Sequence, residues 1–120
     1  MIRVMFVDDD QNLIFGLRRS LRHMNDRWDM VFHTAPGEAL LQFADNPADI
    51  VVTDYKMPSI NGIELLMRIR QLSPETRIII LTGQSQQDVY NSAKEYADGY
   101  LAKPCSQEEL VSAVSRLHPA

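Results

Sequence analysis

Apolar positions along the chain fall into short β-rich runs that alternate with stretches of helical spacing. Ile2-Arg3-Val4-Met5-Phe6-Val7 is the first run, and Asp8-Asp9-Asp10 stops it. Leu13, Ile14, Leu17, Leu21 and Met24 then recur at helical spacing, which predicts a helix with one apolar face. Asp29–Thr34 is a second strand with imperfect alternation. Pro36-Gly37-Glu38 opens a short helix carrying Leu40, Leu41 and Ala44, and Asn46-Pro47 ends it. Ile50-Val51-Val52-Thr53 lacks polar alternation, as suits a strand covered on both faces, and it ends at Asp54. Pro58, Asn61 and Gly62 mark a loop, and Asn61 with Glu64 has capping-box spacing. The helix that follows is expected to bury Leu65, Leu66, Ile69 and Leu72 and to stop at Ser73-Pro74. Ile78-Ile79-Ile80-Leu81 is the most apolar strand. Ser85 and Asp88 repeat the capping spacing ahead of Val89, Ala93 and Tyr96. Tyr100-Leu101-Ala102 is a last strand, closed by Lys103-Pro104. Ser106 and Glu109 cap a final helix carrying Leu110, Val111, Val114 and Leu117.

Five strand–helix units predict an α/β fold, with a parallel sheet covered by helices on both faces. The strands are expected near residues 2–7, 29–34, 50–53, 77–81 and 99–102. Pattern alone leaves flavodoxin-like and Rossmann-half arrangements open. No linker, repeat or low-complexity segment interrupts the series, and 120 residues suit one domain spanning 1–120. An apolar fraction of 45% is ordinary for a packed core and argues against disorder. Twelve basic against 16 acidic residues give a net charge of −4, so direct nucleic-acid binding is not expected. A single cysteine, Cys105, excludes an internal disulfide framework or a Cys-rich zinc site and points to the cytoplasm. No apolar run approaches the ~20 residues of a membrane span. Met1 leads straight into a strand-like run rather than a signal peptide.

In an open parallel sheet, chemistry sits outside the carboxyl ends of the strands. The residues there are Asp8, Asp9 and Asp10 after the first strand, Asp54 after the third, Thr82 after the fourth and Lys103 after the fifth. Carboxylates gathered within a few ångströms repel and raise one another's pKa. A hard divalent cation such as Mg²⁺ removes that conflict; it takes oxygen ligands and keeps several waters, so few carboxylates suffice. The charge left over attracts a phosphoryl group, to which Lys103 adds a second positive point and Thr82 a donor. Asp54 is then a candidate nucleophile toward phosphorus, giving an aspartyl phosphate. Positioning and charge neutralisation are most of what phosphoryl transfer requires.

Val7-Asp8-Asp9-Asp10, Asp54-x-x-Met57-Pro58-x-x-x-Gly62, Thr82-Gly83 and Tyr100-Leu101-x-Lys103-Pro104 together resemble the receiver domains of two-component response regulators. The resemblance covers essentially the whole chain, in order and at matching spacing. It implies a (βα)₅ flavodoxin-like fold with a five-stranded parallel sheet of order 2-1-3-4-5. It implies a Mg²⁺ site, in which Mn²⁺ substitutes, built from Asp9, Asp54 and the backbone carbonyl of Lys56, with Asp8 assisting. Asp54 would accept the phosphoryl group from a histidine kinase or phosphotransfer protein, and Thr82 and Lys103 would bind its oxygens. Thr82 and Tyr100 would form the switch. Lys56 and Gln84, each two positions beyond a site residue, would tune the lifetime of the phosphate. The peptide before Pro104 is commonly cis in such domains. The resemblance implies a self-catalysed phosphorylation switch rather than an enzyme; enzymatic activity would belong to an attached output module. That module, or a second copy in a homodimer, would use the face formed by the fourth helix, fifth strand and fifth helix. Leu17–Arg22, Trp28-Asp29-Met30, Leu81-Thr82-Gly83-Gln84-Ser85 and Lys103-Pro104-Cys105 are similar, more narrowly, to receivers joined to HD-type phosphohydrolase or related HD output modules.

Two features depart from the family pattern. Tyr96-Ala97 stands where many relatives have Gly-Ala, and Tyr is unfavourable where a helix end needs positive φ. Pro36 stands where a polar residue is common, in a segment one residue short.

Each candidate also has a plainer reading. The three aspartates could cap a helix as a solvated loop, and Tyr100 could be half-buried packing. Cys105 reads as inert without a lowered pKa. His23, His33 and His118 lack ligand spacing, and Arg18, Arg19 and Arg22 read as a solvated helix face with room for a kinase contact. A dehalogenase-type phosphatase also pairs aspartates as Asp8 and Asp10 are paired, but Asn12 stands where it would want Thr. A flavodoxin-type carrier needs a phosphate loop where three aspartates would repel the flavin phosphate. A receiver-like interaction module without phosphorylation has no need of the intact acidic set.

Overall fold

A computed structural model describes residues 1–57, 60–83, 91 and 93–118, with the backbone alone for 56, 57 and 60–62. Strands β1 (Ile2–Val7), β2 (Trp28–His33), β3 (Ile50–Asp54), β6 (Arg77–Thr82) and β7 (Gly99–Ala102) form one sheet. Its order is β2-β1-β3-β6-β7 and every pairing is parallel. Counting these five strands alone, the order is 2-1-3-4-5. Two further strands, β4 (Lys56–Met57) and β5 (Ile60–Asn61), pair antiparallel in a small separate hairpin that the apolar pattern did not reveal.

Among the described residues, the helices described from end to end are α1 (Gln11–Ser20), α2 (Pro36–Asp45), α3 (Gly62–Leu72) and α4 (Gln107–Leu117). The last of these is the fifth predicted helix. Ser85, Asp88 and Val89, expected in the fourth, lie outside the described residues, as do Pro58 and Gln84, and the side chain of Asn61 is not described. Ala93 is fully buried, and the Tyr96 and Ala97 amides donate to its carbonyl in a helical turn.

Alternation along the strands divides the core in two. Met5, Val7, Val51, Ile78 and Ile80 face α2 and α3, packing on Phe43, Leu65, Leu66 and Ile69. Val4, Phe6, Ile50, Val52, Ile79 and Leu81 face the other way, against Ile14, Leu21 and, from α4, Leu110 and Val114. Helices therefore cover both faces, as an unalternated apolar strand requires.

Local chemistry fixes the helix starts. Pro36 occupies the first turn of α2, where its missing N–H costs nothing, and the N-cap Ala35 offers no side-chain acceptor. Ser106 and Glu109 form a full capping box at α4, with Glu109 N–H to Ser106 Oγ and Ser106 N–H to Glu109 Oε1 both 3.1 Å. Beyond α1 the chain adds a 3₁₀ turn, Arg22–Met24, that brings Met24 into the core.

Phe43 is fully buried, whereas Phe15 is 56% exposed. Urea denaturation is expected to show a loss of about 3–5 kcal/mol for Phe43→Ala. The same measurement on Phe15→Ala is expected to stay within about 0.5 kcal/mol of wild type.

Candidate functional site

Three consecutive aspartates leave β1 and take three different positions. Asp8 is buried; its amide donates to the His33 carbonyl (3.1 Å), and its Oδ1 accepts the Asp10 amide (2.9 Å). Asp9 is exposed. Asp10 caps α1, its Oδ1 accepting from Asn12 N–H (3.0 Å) and Leu13 N–H (3.2 Å). Asp54 closes β3 and is 8% exposed. Carboxylate oxygens of Asp8, Asp9 and Asp54 all lie within 4.8 Å of one another. Asp10 is not in that group.

Lys103 follows β7 and reaches the cluster. Its Nζ lies 2.8 Å from Asp8 Oδ2 and 3.4 Å from Asp54 Oδ2. Burial by itself would depress the ammonium, but the hydrogen bond and charge of Asp8, followed by the charge of Asp54, outweigh it and hold its pKa above the ordinary lysine value. The Lys103 amide donates to the Thr82 carbonyl (2.9 Å), and the Lys103–Pro104 peptide is cis. Thr82 ends β6 and is 2% exposed. Tyr100 pairs with Ile80, and Ala102 with Thr82, so Tyr100 and Thr82 lie on the same sheet face two rows apart. Half-buried, Tyr100 packs on the core shared with α2 and α3.

The expected site residues Asp8, Asp9, Asp54, Thr82 and Lys103 thus gather at one edge of the sheet, with Tyr100 behind them. Lys56 lies two residues past Asp54, its backbone paired with Asn61 in the β4–β5 hairpin. Cys105 carries a thiol pushed up by burial, then by the charge of Glu109. The apolar pattern did not single out Thr53. It is 1% exposed, and its hydroxyl donates to the Asp54 carbonyl (3.1 Å), fixing the backbone beside the carboxylate. A polar residue directly before Asp54 in an otherwise apolar strand was its signal.

Three acidic oxygens within 4.8 Å, one of them on exposed Asp9, suit a hard cation that keeps part of its water shell. Lys103 already compensates the buried pair, and the third carboxylate leaves negative charge that a bound cation would balance.

A family model for the response regulator receiver domain matches residues 4–115. The chain belongs to this family. As a receiver it is 35% identical over 117 residues to response regulator ArlR of Staphylococcus saprophyticus, covering 95% of this chain and 51% of that protein. The chain spans about half the length of the ArlR relatives it matches, 51% and 55% in two of them. A Clostridium thermocellum receiver domain superposes with a TM-score of 0.86 at 29% identity, covering 98% of this chain and 94% of that one. Response regulator TrrA of Thermotoga maritima, solved in complex with Mg²⁺-BeF, superposes with a TM-score of 0.82 at 31% identity, covering 98% and 99%. These relatives lend no support to the narrower likeness to HD-linked receivers. The receiver fold carries the phosphoacceptor function of two-component systems. No helix among its described residues is long and apolar enough to cross a membrane.

Asp10 separates from the acidic group through its capping role. Asp10→Ala is expected to lower stability by about 1 kcal/mol in urea denaturation, with Asp10→Ser restoring most of the loss.

Proposed function

We propose that Asp54 is the phosphoacceptor and that the 120 residues act as one phosphorylation switch. The observation that carries this reading is the convergence of Asp8, Asp9, Asp54, Lys103 and buried Thr82 on one sheet edge. An Asp54 carboxylate oxygen attacks phosphorus, and the bond from phosphorus to the imidazole nitrogen of a histidine kinase or phosphotransfer protein breaks as the new P–O bond forms. Later attack by water on phosphorus releases inorganic phosphate and restores the carboxylate. The chain thus catalyses both steps on itself and turns over no separate substrate.

Asp8, Asp9, Asp54 and the Lys56 carbonyl are the ligands we assign to Mg²⁺, with Mn²⁺ as a substitute of similar ligand preference. When bound, the cation supplies positive charge against the oxygens of the transferring group. Pairing of Lys56 with Asn61 supports its ligand role by holding its backbone in place. The ammonium of Lys103, already poised between two carboxylates, is placed to follow the incoming phosphoryl oxygens. Lys56 and Gln84 flank the path of attacking water and set the lifetime of the phosphate.

Phosphorylation adds about −1.5 to −2 charge and strong acceptors. Thr82 turns its hydroxyl toward them, and Tyr100 moves into the space it leaves. Shifting such a switch from 1:99 to 99:1 takes about 5.5 kcal/mol. One hydrogen bond to a charged group supplies about 1.5–3 kcal/mol, so Thr82 alone is insufficient. Repositioning of Lys103 and burial of Tyr100 supply the remainder. The response reaches an output module, or a second copy in a homodimer, through the face that contains β7 and α4. We place the protein in the cytoplasm, beside a kinase and without direct contact to nucleic acid or membrane.

Asp54→Asn is expected to abolish incorporation of alkali- and hydroxylamine-labile phosphate from a small phosphodonor. Asp9→Asn is expected to weaken Mg²⁺ binding in calorimetry by at least the roughly 10–100-fold typical of lesser changes around a metal. Equal Mg²⁺ affinity in Asp9→Asn and wild type refutes the ligand assignment. Thr82→Ala should still phosphorylate at Asp54 while the spectral response around Tyr100 shrinks. A response equal to wild type there refutes the coupling.

A further inference from the structure

The Tyr96-Ala97 segment lacks the glycine that a left-handed helix end favours, and no described residue has positive φ. A side chain from 26 residues upstream takes the place of that device. Arg70, in the last turns of α3, donates from Nε (3.1 Å) and Nη2 (2.8 Å) to the Tyr96 carbonyl. Its Nη1 donates to the carbonyls of Pro74 (3.1 Å) and Thr76, and Nη2 also reaches Asp98 Oδ2 (2.6 Å). All five guanidinium N–H groups are therefore engaged. A lysine, with one nitrogen and three donors, cannot reproduce this fork.

Asp98 carries the grip into the sheet. Its Oδ2 accepts the Ile78 amide (2.8 Å), and its own amide donates to the Ile78 carbonyl (2.8 Å). Both ends of the entry to β7 are thereby fixed against the start of β6. Tyr100 lies two residues on, opposite Ile80, and Lys103 follows with its amide on Thr82. The other end of α3 begins at Gly62, directly after the β4–β5 hairpin that follows Asp54. One helix thus joins the loop beside the phosphoacceptor to the point where the strand bearing Tyr100 begins.

We propose that Arg70 is a positioning residue of the switch: its fork pins the entry to β7, so that phosphorylation moves the Tyr100 side chain and not the backbone beneath it. This rests on the assignment of Asp54 and Tyr100 made above. With the entry loose, the same electrostatic pull at Thr82 would be spent on sliding β7, and the signal at the Tyr100 face would fade. A purely structural role predicts something else: lower stability, with an undiminished response in the molecules that remain folded.

The test compares wild type, Arg70→Lys and Asp98→Asn by NMR with Mg²⁺ and beryllofluoride, alongside Mg²⁺ calorimetry and thermal unfolding. Asp98→Asn keeps an oxygen acceptor for the Ile78 amide but loses the charge paired with Arg70, and it carries the test if Arg70→Lys does not fold. In wild type, Tyr100 ring signals should shift while the Ile78 and Asp98 amides stay nearly still. In the variants Mg²⁺ affinity should stay within about twofold of wild type, because the clamp is remote from the metal ligands. The Tyr100 response should fall roughly threefold or more in Arg70→Lys, with the Asp98 amide now moving on beryllofluoride addition. A Tyr100 response equal to wild type in a folded variant overturns the clamp and leaves the Asp54 assignment standing. A wild type that does not respond to beryllofluoride at all overturns the Asp54 assignment and the clamp with it.

Discussion

Two buried carboxylates share one ammonium. Lys103 Nζ sits 2.8 Å from Asp8 and 3.4 Å from Asp54, and the strands that deliver Asp8 and Lys103 are not neighbours: β3 and β6 lie between them. The ion pair therefore crosses the ends of half the sheet and depends on its order and register. Burying two carboxylates is costly unless both are compensated. The chain meets that requirement only when β1, β3 and β7 are all in place, so the charge cluster can form only in the assembled fold. A third carboxylate, on exposed Asp9, then makes the site over-acidic for a single lysine. That surplus of negative charge is what turns a stabilised cluster into a receptive one.

The opposite end of the sheet is built from the same residue types and behaves differently. There Arg70 uses every donor it has, and Asp98 is tied to Arg70, Arg77 and the Ile78 amide. Thr76 closes the edge further, its hydroxyl donating to the Ala48 carbonyl (2.7 Å). Asp98 answers two arginines and an amide, and Arg70 is left with no donor for a ligand. At the carboxyl end the acids outnumber the bases and one carboxylate faces solvent. Unsatisfied capacity for interaction, rather than charge alone, distinguishes a site from a brace.

Much of the fold was legible because apolar runs and pairing coincide. β1 and β7 have the expected bounds, while β3 and β6 each run one residue further, to Asp54 and Thr82. The reason is general: ladder bonds are made by the backbone, which continues to pair after the side chains turn polar. Reading a strand as ending at its last apolar residue therefore excludes the functional residue from the element that positions it. Trp28 pairs with Ile2 and starts β2 one residue earlier than its polar neighbours suggested. The two-residue strands β4 and β5 are too short to show any period. Arg70 was hidden for a different reason. Alone it reads as a basic residue at a helix end, and its partners lie 26 and 28 positions away.

The acidic triplet marks the limit of what composition can assign. Asp8, Asp9 and Asp10 are the same residue type at consecutive positions, and composition alone does not say which of them caps a helix and which serves a metal. The structure divides the roles. A chain leaving a strand to enter a helix has to turn, and the turn presents successive side chains in different directions. One carboxylate goes inward to Lys103, one outward to solvent, and one forward onto the amides of the helix it precedes. The capping role therefore falls to Asp10, and the amide of that cap residue donates to Asp8 Oδ1 at 2.9 Å. That bond leaves Asp8 Oδ2 to face Lys103. The cap and the site are parts of one turn, and the ordinary requirement of a helix start helps to aim a carboxylate at the chemistry.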